Sequence, residues 1–268
     1  MLTALAAALI AAFVVAPRTL AARSDAGYAD QGGLVRALRE AFVGYWGAGE
    51  RGLSPGMRTV VDYWFRYHVA KGVIAAVLLA VLVALGVHLW KAFLRAEGLG
   101  AGTRTALASA GVLVPVLALC SSAVVLANVQ GALAPLSSLV SMLPVDETDG
   151  PLAGALDQVR QGLGASPPAG GRTLPALDAM IGDFAHYHVV MAVSATIVAL
   201  VLVCLSVLSW KARAGTDPSD GRARRVWRAF GVASALSALL LFVVAAANTT
   251  TAADPAPALL AFFDSAPL

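Results

Sequence analysis

The sequence predicts an all-α integral membrane protein: a four-helix bundle of two tandem parallel helical-hairpin repeats, with a small helical extracytoplasmic cap. Three observations predict it. The 268-residue chain is 59% hydrophobic and only 13% charged, with mean hydropathy +0.76, whereas soluble domains carry about a quarter charged residues. Its apolar residues gather in four long runs, Val69–Leu89, Ala106–Ala127, Val189–Ser209 and Ala229–Ala247. Each is about 20 residues, enough at about 1.5 Å per residue to cross a hydrocarbon core about 30 Å thick. The two pairs of runs also repeat each other at a fixed offset of 120 positions.

From the N-terminus, residues 1–22 hold the apolar run Leu2–Ala16, followed by Pro17, Arg18 and small residues. A run of about 15 suits a signal-peptide core better than a full span. No Lys or Arg precedes it, however, and Arg18 and Arg23 follow it. An uncleaved fifth N-terminal hydrophobic helix is the alternative. Residues 23–54 read as an extracytoplasmic amphipathic segment: Leu34, Leu38, Phe42 and Tyr45 recur at helical spacing, with Arg36, Arg39 and Glu40 facing away.

Repeat 1 covers residues 55–140. Pro55 fits the first turn of a helix, and Met57, Val60, Val61 and Trp64 carry a 3–4 spacing onward. That helix therefore projects two or three turns outside the membrane before its span. The loop 91–104 holds Lys91, Arg95 and Arg104 against Glu97 alone. Short loops rich in Lys and Arg stay in the cytoplasm.

Residues 141–174 form an extracytoplasmic linker, with a weaker apolar stripe at Leu152, Leu156, Val159 and Leu163 before the Gly/Pro/Ser-rich stretch Gly162–Arg172. Repeat 2, residues 175–268, opens with Pro175 and the stripe Leu177, Met180, Ile181 and Phe184. Its loop 211–228 carries Lys211, Arg213, Arg222, Arg224, Arg225 and Arg228 against Asp217 and Asp220, and is again cytoplasmic. Region 23–66, the mixed-charge loop 128–186 and the C-terminus then lie outside, in a multi-pass protein of a plasma membrane. The tail adds an apolar segment at Leu259, Leu260, Phe262 and Phe263, and these outer pieces would pack into the cap.

The duplication is carried by residues that membrane composition does not repeat. Tyr67-His68-Val69 recurs as Tyr187-His188-Val189, Trp90-Lys91-Ala92 as Trp210-Lys211-Ala212, and Ala127-Asn128 as Ala247-Asn248. Pro55, Arg104, Gly111 and Pro135 match Pro175, Arg224, Gly231 and Pro255. Two spans per copy give both copies the same orientation, related by an axis along the membrane normal. Small residues, among them Gly72, Ala75, Ala76, Gly111, Ala192, Ser194, Ala195 and Gly231, would let the helices approach closely.

The most site-like residues are those shared by the copies at the outer face. His68 and His188 sit at equal depth on different helices, an arrangement that can ligate haem or a metal. Asn128 and Asn248 lie at the outer ends of the partner spans. The competing reading is interfacial anchoring, and it is the stronger one: Tyr67 and Tyr187 at one end, with Trp90, Lys91, Trp210 and Lys211 at the other, bracket about 33 Å of helix. His186 and His88 add little, because His88 matches Leu208 in the second copy. Lys71, opposite Met191, reads as a side chain snorkelling outward. Cys120 and Cys204 fall at different depths, which speaks against a disulfide, and read as small apolar packers.

Ser121, Ser122, Ser194, Thr196, Ser234 and Ser237 suit interhelical hydrogen bonds, and no Asp or Glu lies in the four spans. HExxH, GxSxG and P-loop patterns are missing, so no catalytic residues are assigned. The basic loops are short and tied to span ends, which gives no support to nucleic-acid binding.

The Ala127-Asn128 and Ala247-Asn248 match, together with the tail Pro255-Ala-Pro-Ala-Leu-Leu-Ala-Phe-Phe263, resembles uncharacterised multi-pass membrane proteins of high-GC actinobacteria. That resemblance implies a bacterial plasma membrane and no mechanism. The expectation is a non-enzymatic scaffold or accessory subunit whose partners are the lipid bilayer and a membrane protein or a second copy of itself. A haem- or metal-binding redox protein and a small-solute channel or transporter are the alternatives.

Overall fold

A computed structural model describes residues 1–22, 27–95, 100–165 and 174–265, without the side chains of 101 and 104. Arg23, Glu97, the Arg104 side chain and positions 166–173 of the expected linker lie outside the described residues. The chain is all-helical, at 87% helix, with no strand among the described residues. Its elements run α1 (Leu2–Ala21), α2 (Gln31–Ala48), α3 (Pro55–Leu94), α4 (Ala101–Leu133), α5 (Pro135–Val140), α6 (Gly150–Gly164), α7 (Pro175–Gly215), α8 (Gly221–Ala253) and α9 (Pro255–Asp264).

Five of these, α1, α3, α4, α7 and α8, are long and apolar enough to cross a membrane. On that length and composition the chain is a multi-pass membrane protein. In their most apolar windows only 17–22% of the residues are buried inside the protein. Side chains such as Val73, Leu236, Leu240 and Val243 therefore stand about 59–64% exposed. In water so much exposed apolar surface would drive aggregation, whereas lipid solvates it.

The apolar run Leu2–Ala16 ends before Pro17, and α1 continues through Pro17 to Ala21. Pro17 brings no amide hydrogen to the helix ladder, and Pro17 and Ala21 are both fully buried. The 20-residue helix reaches spanning length, which the run alone did not.

The contacts divide the chain into two compact units. The first comprises Met1–Val14, Gly72–Leu126 and Ala192–Ala247. Small residues pack it: Ala75, Ala195 and Ala199 are at most 1% exposed. Gly111 takes the Trp90 ring and Gly231 the Trp210 ring, so close that an added Cβ would lie 3.1 Å and 2.9 Å from them. Such close approach is what replaces a hydrophobic driving force between helices in lipid. Ser121 Oγ donates to the Ala75 carbonyl at 2.9 Å, and Ser206 Oγ to the Gly231 carbonyl at 2.8 Å.

Not every expected packer belongs inside. Ala76 is exposed, because it sits next to buried Ala75 and a helix turns about 100° per residue. Thr196 returns its hydroxyl to Ala192 of its own helix, at 2.7 Å. Cys120 and Cys204 are free and exposed and therefore pack no core. A thiol is apolar enough to face lipid, so nothing forces it inward.

The second unit comprises Val15–Lys71, Ala127–Met191 and Asn248–Leu268. Its core is made of the amphipathic stripes: Leu38, Phe42 and Tyr45 of α2, Leu139 of α5, Leu156 and Val159 of α6, and Phe263 of α9 are fully buried. Each large apolar side chain removed from water contributes about 1.5–3 kcal/mol. Helix α2 begins where Asp30 accepts from the Gly33 amide at 2.7 Å, and ends where Gly49 turns left-handed at φ 65°.

Polar side chains tie these helices together. Trp46 Nε1 donates to Gln158 at 2.8 Å, Tyr45 to the Ala176 carbonyl at 3.2 Å, and Arg51 pairs with Asp178. Arg39, expected to face away from the apolar stripe, is instead paired with Glu147. A long side chain on the flank of a stripe can reach over it to a neighbouring carboxylate.

Candidate functional site

Two histidine–asparagine pairs lie in the second unit. His68 stands on α3, one turn after Trp64, and Asn128 stands near the end of α4. His68 Nδ1 is 3.0 Å from Asn128 Oδ1. On α7 and α8 the corresponding pair is His188 and Asn248, with Nδ1 2.7 Å from Oδ1. In each, the amide oxygen can only accept, so Nδ1 carries the proton that the bond uses and Nε2 points away from the asparagine.

The rings are also held from the preceding turn. Trp64 meets His68 edge-on with centroids 4.6 Å apart, and Phe184 meets His188 at the same 4.6 Å. These are i, i+4 neighbours on one helix face. Asn128 is 6% exposed, while His188 and Asn248 are half-buried.

The two pairs also differ in what lies over the ring. Gly131 lies over the His68 ring, so that an added Cβ would fall 2.6 Å from Cε1 and 2.7 Å from both ring nitrogens. Position 251, its counterpart, is threonine. His68 Nε2 is buried with no hydrogen-bond partner among the described residues. An orphaned buried acceptor costs about 1–3 kcal/mol, so its persistence calls for a role.

No family model matches the chain. Neither a curated protein nor a solved structure matches it either. The chemistry therefore has to be read from the residues themselves. Among the described residues no group of three or more His, Cys, Asp or Glu converges to hold a metal ion.

The remaining sequence-selected residues fall in several settings. Tyr67 stacks on Trp64 with centroids 5.2 Å apart, and Lys71 Nζ lies 5.3 Å from the Tyr67 ring centre. The Tyr187 carbonyl accepts from Gln130 Nε2 at 3.1 Å. Trp90 packs edge-on against Phe230 at 5.2 Å, and its buried Nε1 has no hydrogen-bond partner among the described residues, whereas Trp210 is 41% exposed, with Arg213 over its ring at 5.5 Å. Lys91, Lys211, His88 and His186 are exposed.

Sequence reasoning missed Gln130, which is 5% exposed and donates from α4 to the Tyr187 carbonyl of α7. It also missed Asp183, whose Oδ2 accepts from Ser137 N and Oγ, both at 2.7 Å, at the start of α5. Neither residue recurs at an offset of 120 positions, where Thr250 and Tyr63 stand, so matching positions carried no signal for them. In the loop before α8, Asp217 accepts from Ser219 Oγ and N at 2.6 Å and 2.8 Å, which holds its carboxyl below the usual carboxylate range.

Proposed function

We propose that the chain is a non-enzymatic scaffold or accessory subunit of a bacterial plasma membrane. In this reading a duplicated four-helix bundle anchors an extracytoplasmic helical cap, and loops 91–104 and 211–228 face the cytoplasm. One observation carries it. Helices α2, α5, α6 and α9 are too short or too polar to span, yet they bury a continuous core with Phe42, Leu139, Leu156 and Phe263 at its centre. A folded unit of this kind, whose described residues assemble no constellation of nucleophile, base and orienting group, is suited to making contacts.

The duplication is supported by matched element ends. Helices α3 and α7 start at Pro55 and Pro175, α4 and α8 end at Leu133 and Ala253, and α5 and α9 start at Pro135 and Pro255. Retention of α1 as a fifth span is supported by Ala21, which is 0% exposed in the second unit's core and whose carbonyl accepts from Arg66 Nε at 2.9 Å. The test is native mass spectrometry of the full chain in mild detergent, combined with crosslinking in its own membrane. A homo-oligomer or a defined crosslinked membrane partner supports the scaffold. A lone monomer that crosslinks to nothing sinks it.

The second reading, haem or metal bound through His68 and His188, is favoured by Nδ1–H of each ring resting on an asparagine oxygen. An outer hydrogen bond of this kind orients a ligating histidine. A Soret band or bound metal that vanishes in the His68→Ala, His188→Ala double variant would establish it. A clean spectrum from protein made with ample haem and metals removes it.

A further inference from the structure

A cavity of about 250 Å³ in the second unit carries a pairing of charges that nothing above uses. Arg18, Asp30, Gln31, Tyr63, Trp64 and Tyr67 line it. Among the described residues, Arg18 and Asp30 form no ion pair with each other or with anything else; Asp30 spends one oxygen on the Gly33 amide. Both side chains are exposed, and a simple ion entering the cavity they line would meet a like charge as well as an opposite one. An anion would be repelled by Asp30 and a simple cation by Arg18.

A zwitterion satisfies both. Arg18 offers a forked donor that suits a phosphate. Asp30 and the Gln31 amide oxygen accept from a primary ammonium, and the tyrosine and tryptophan rings add cation–π attraction. The cavity also adjoins apolar surface: Val15, one turn before Arg18 on the same helix face, is 71% exposed. We propose that this cavity binds a phosphodiester bearing a primary ammonium, the headgroup chemistry of an ethanolamine glycerophospholipid, with its chains running along α1. The inference rests on the retention of α1 proposed above.

The test uses the full chain exchanged into mixed micelles of phosphatidylethanolamine, phosphatidylglycerol and phosphatidylcholine, with retained lipid read by native mass spectrometry. The ethanolamine lipid is retained about tenfold over the other two, the factor one charge-assisted hydrogen bond supplies. Asp30→Asn keeps the helix cap and abolishes the preference. Arg18→Gln lowers retention of all three lipids. Displacement by soluble glycerophosphoethanolamine assigns the site to the headgroup alone, whereas lipid retention without displacement assigns it to the membrane lipid; both support the proposal. Equal retention of the three lipids, or a pattern unchanged in both variants, overturns it. The intact mass of the same sample separates the two readings. A chain that lacks its first 22 residues refutes retention of α1, and a full-length chain without lipid preference refutes the site.

Discussion

His68 and Asn128 stand on different helices, and the ring Nδ1 lies 3.0 Å from the amide oxygen. Because Asn128 is buried, water cannot replace either partner. The bond is therefore an interaction that a single substitution leaves half-made.

Asn128→Leu leaves the His68 Nδ1–H unpaired and should lower stability by about 1–3 kcal/mol. Adding His68→Phe removes the orphan and should recover most of that loss. Asn248→Leu should cost less, since Asn248 is half-exposed and water can take over its bond. Thermal unfolding of the full chain in one detergent reads each cost, and the single His68→Phe variant closes the double-mutant cycle with Asn128→Leu. Equal costs at both asparagines would contradict this account.

Gly131→Ala tests the packing above the same ring. Its Cβ would lie 2.6 Å from His68 Cε1, and a ring pinned by Asn128 and Trp64 has little room to give. The cost should be about 1–3 kcal/mol, as for overpacking a well-filled site. Gly111→Ala meets Trp90 at 3.1 Å and should be milder. Combining Gly131→Ala with His68→Ala should relieve the clash, which the same unfolding assay would register.

The spans were legible because a helix in lipid must be apolar for about 20 residues, and no tertiary detail can override that. The amphipathic stripes at Leu38, Phe42 and Leu156 were legible for a related reason, since period 3.6 marks a buried face. What was not legible depended on contact across elements. Ala76 and Ala75 look alike in sequence, yet only Ala75 is buried. Arg39 read as a solvent-facing charge until Glu147, more than a hundred positions away, supplied its partner. Matched positions pointed to His68 and Asn128, but the orphaned Nε2 depends on Gly131, where the second copy has Thr251.

Alkaline pH should weaken the second unit through Tyr45. Burial raises its phenol above the ordinary value near 10, the nearby charge of Asp183 adds to this, and Arg51 opposes it. The unfolded chain therefore releases this proton at lower pH than the folded chain does. Between those two values the folded state binds more protons, so stability falls as pH rises. The stabilisation is fully present below pH about 10 and is lost on rising through the folded value. Tyr45→Phe removes the titrating group and should flatten this part of an unfolding-versus-pH curve, at the loss of the bond to the Ala176 carbonyl. An unchanged slope would assign the alkaline loss to other groups.

Arg160 ties the end of α9 to the segment before α6. Its Nε and Nη2 donate to the Phe263 carbonyl at 3.0 Å and 2.9 Å, and Nη2 also reaches the Val145 carbonyl at 2.6 Å. These carbonyls close the end of α9 and the approach to α6, where helix ends otherwise leave acceptors unmet. Arg160→Met keeps the apolar stem but removes every donor, and should cost about 2 kcal/mol. Its contact with Asp157 at 2.9 Å has a largely exposed partner, so Asp157→Asn should change stability by less than about 0.5 kcal/mol. Limited proteolysis in detergent distinguishes the two, because only Arg160→Met should free α9 and expose bonds within residues 255–264 to cleavage. If both variants resist the protease like the unaltered chain, α9 is seated by Leu259 and Phe263 alone. The arginine would then be ornamental to the fold.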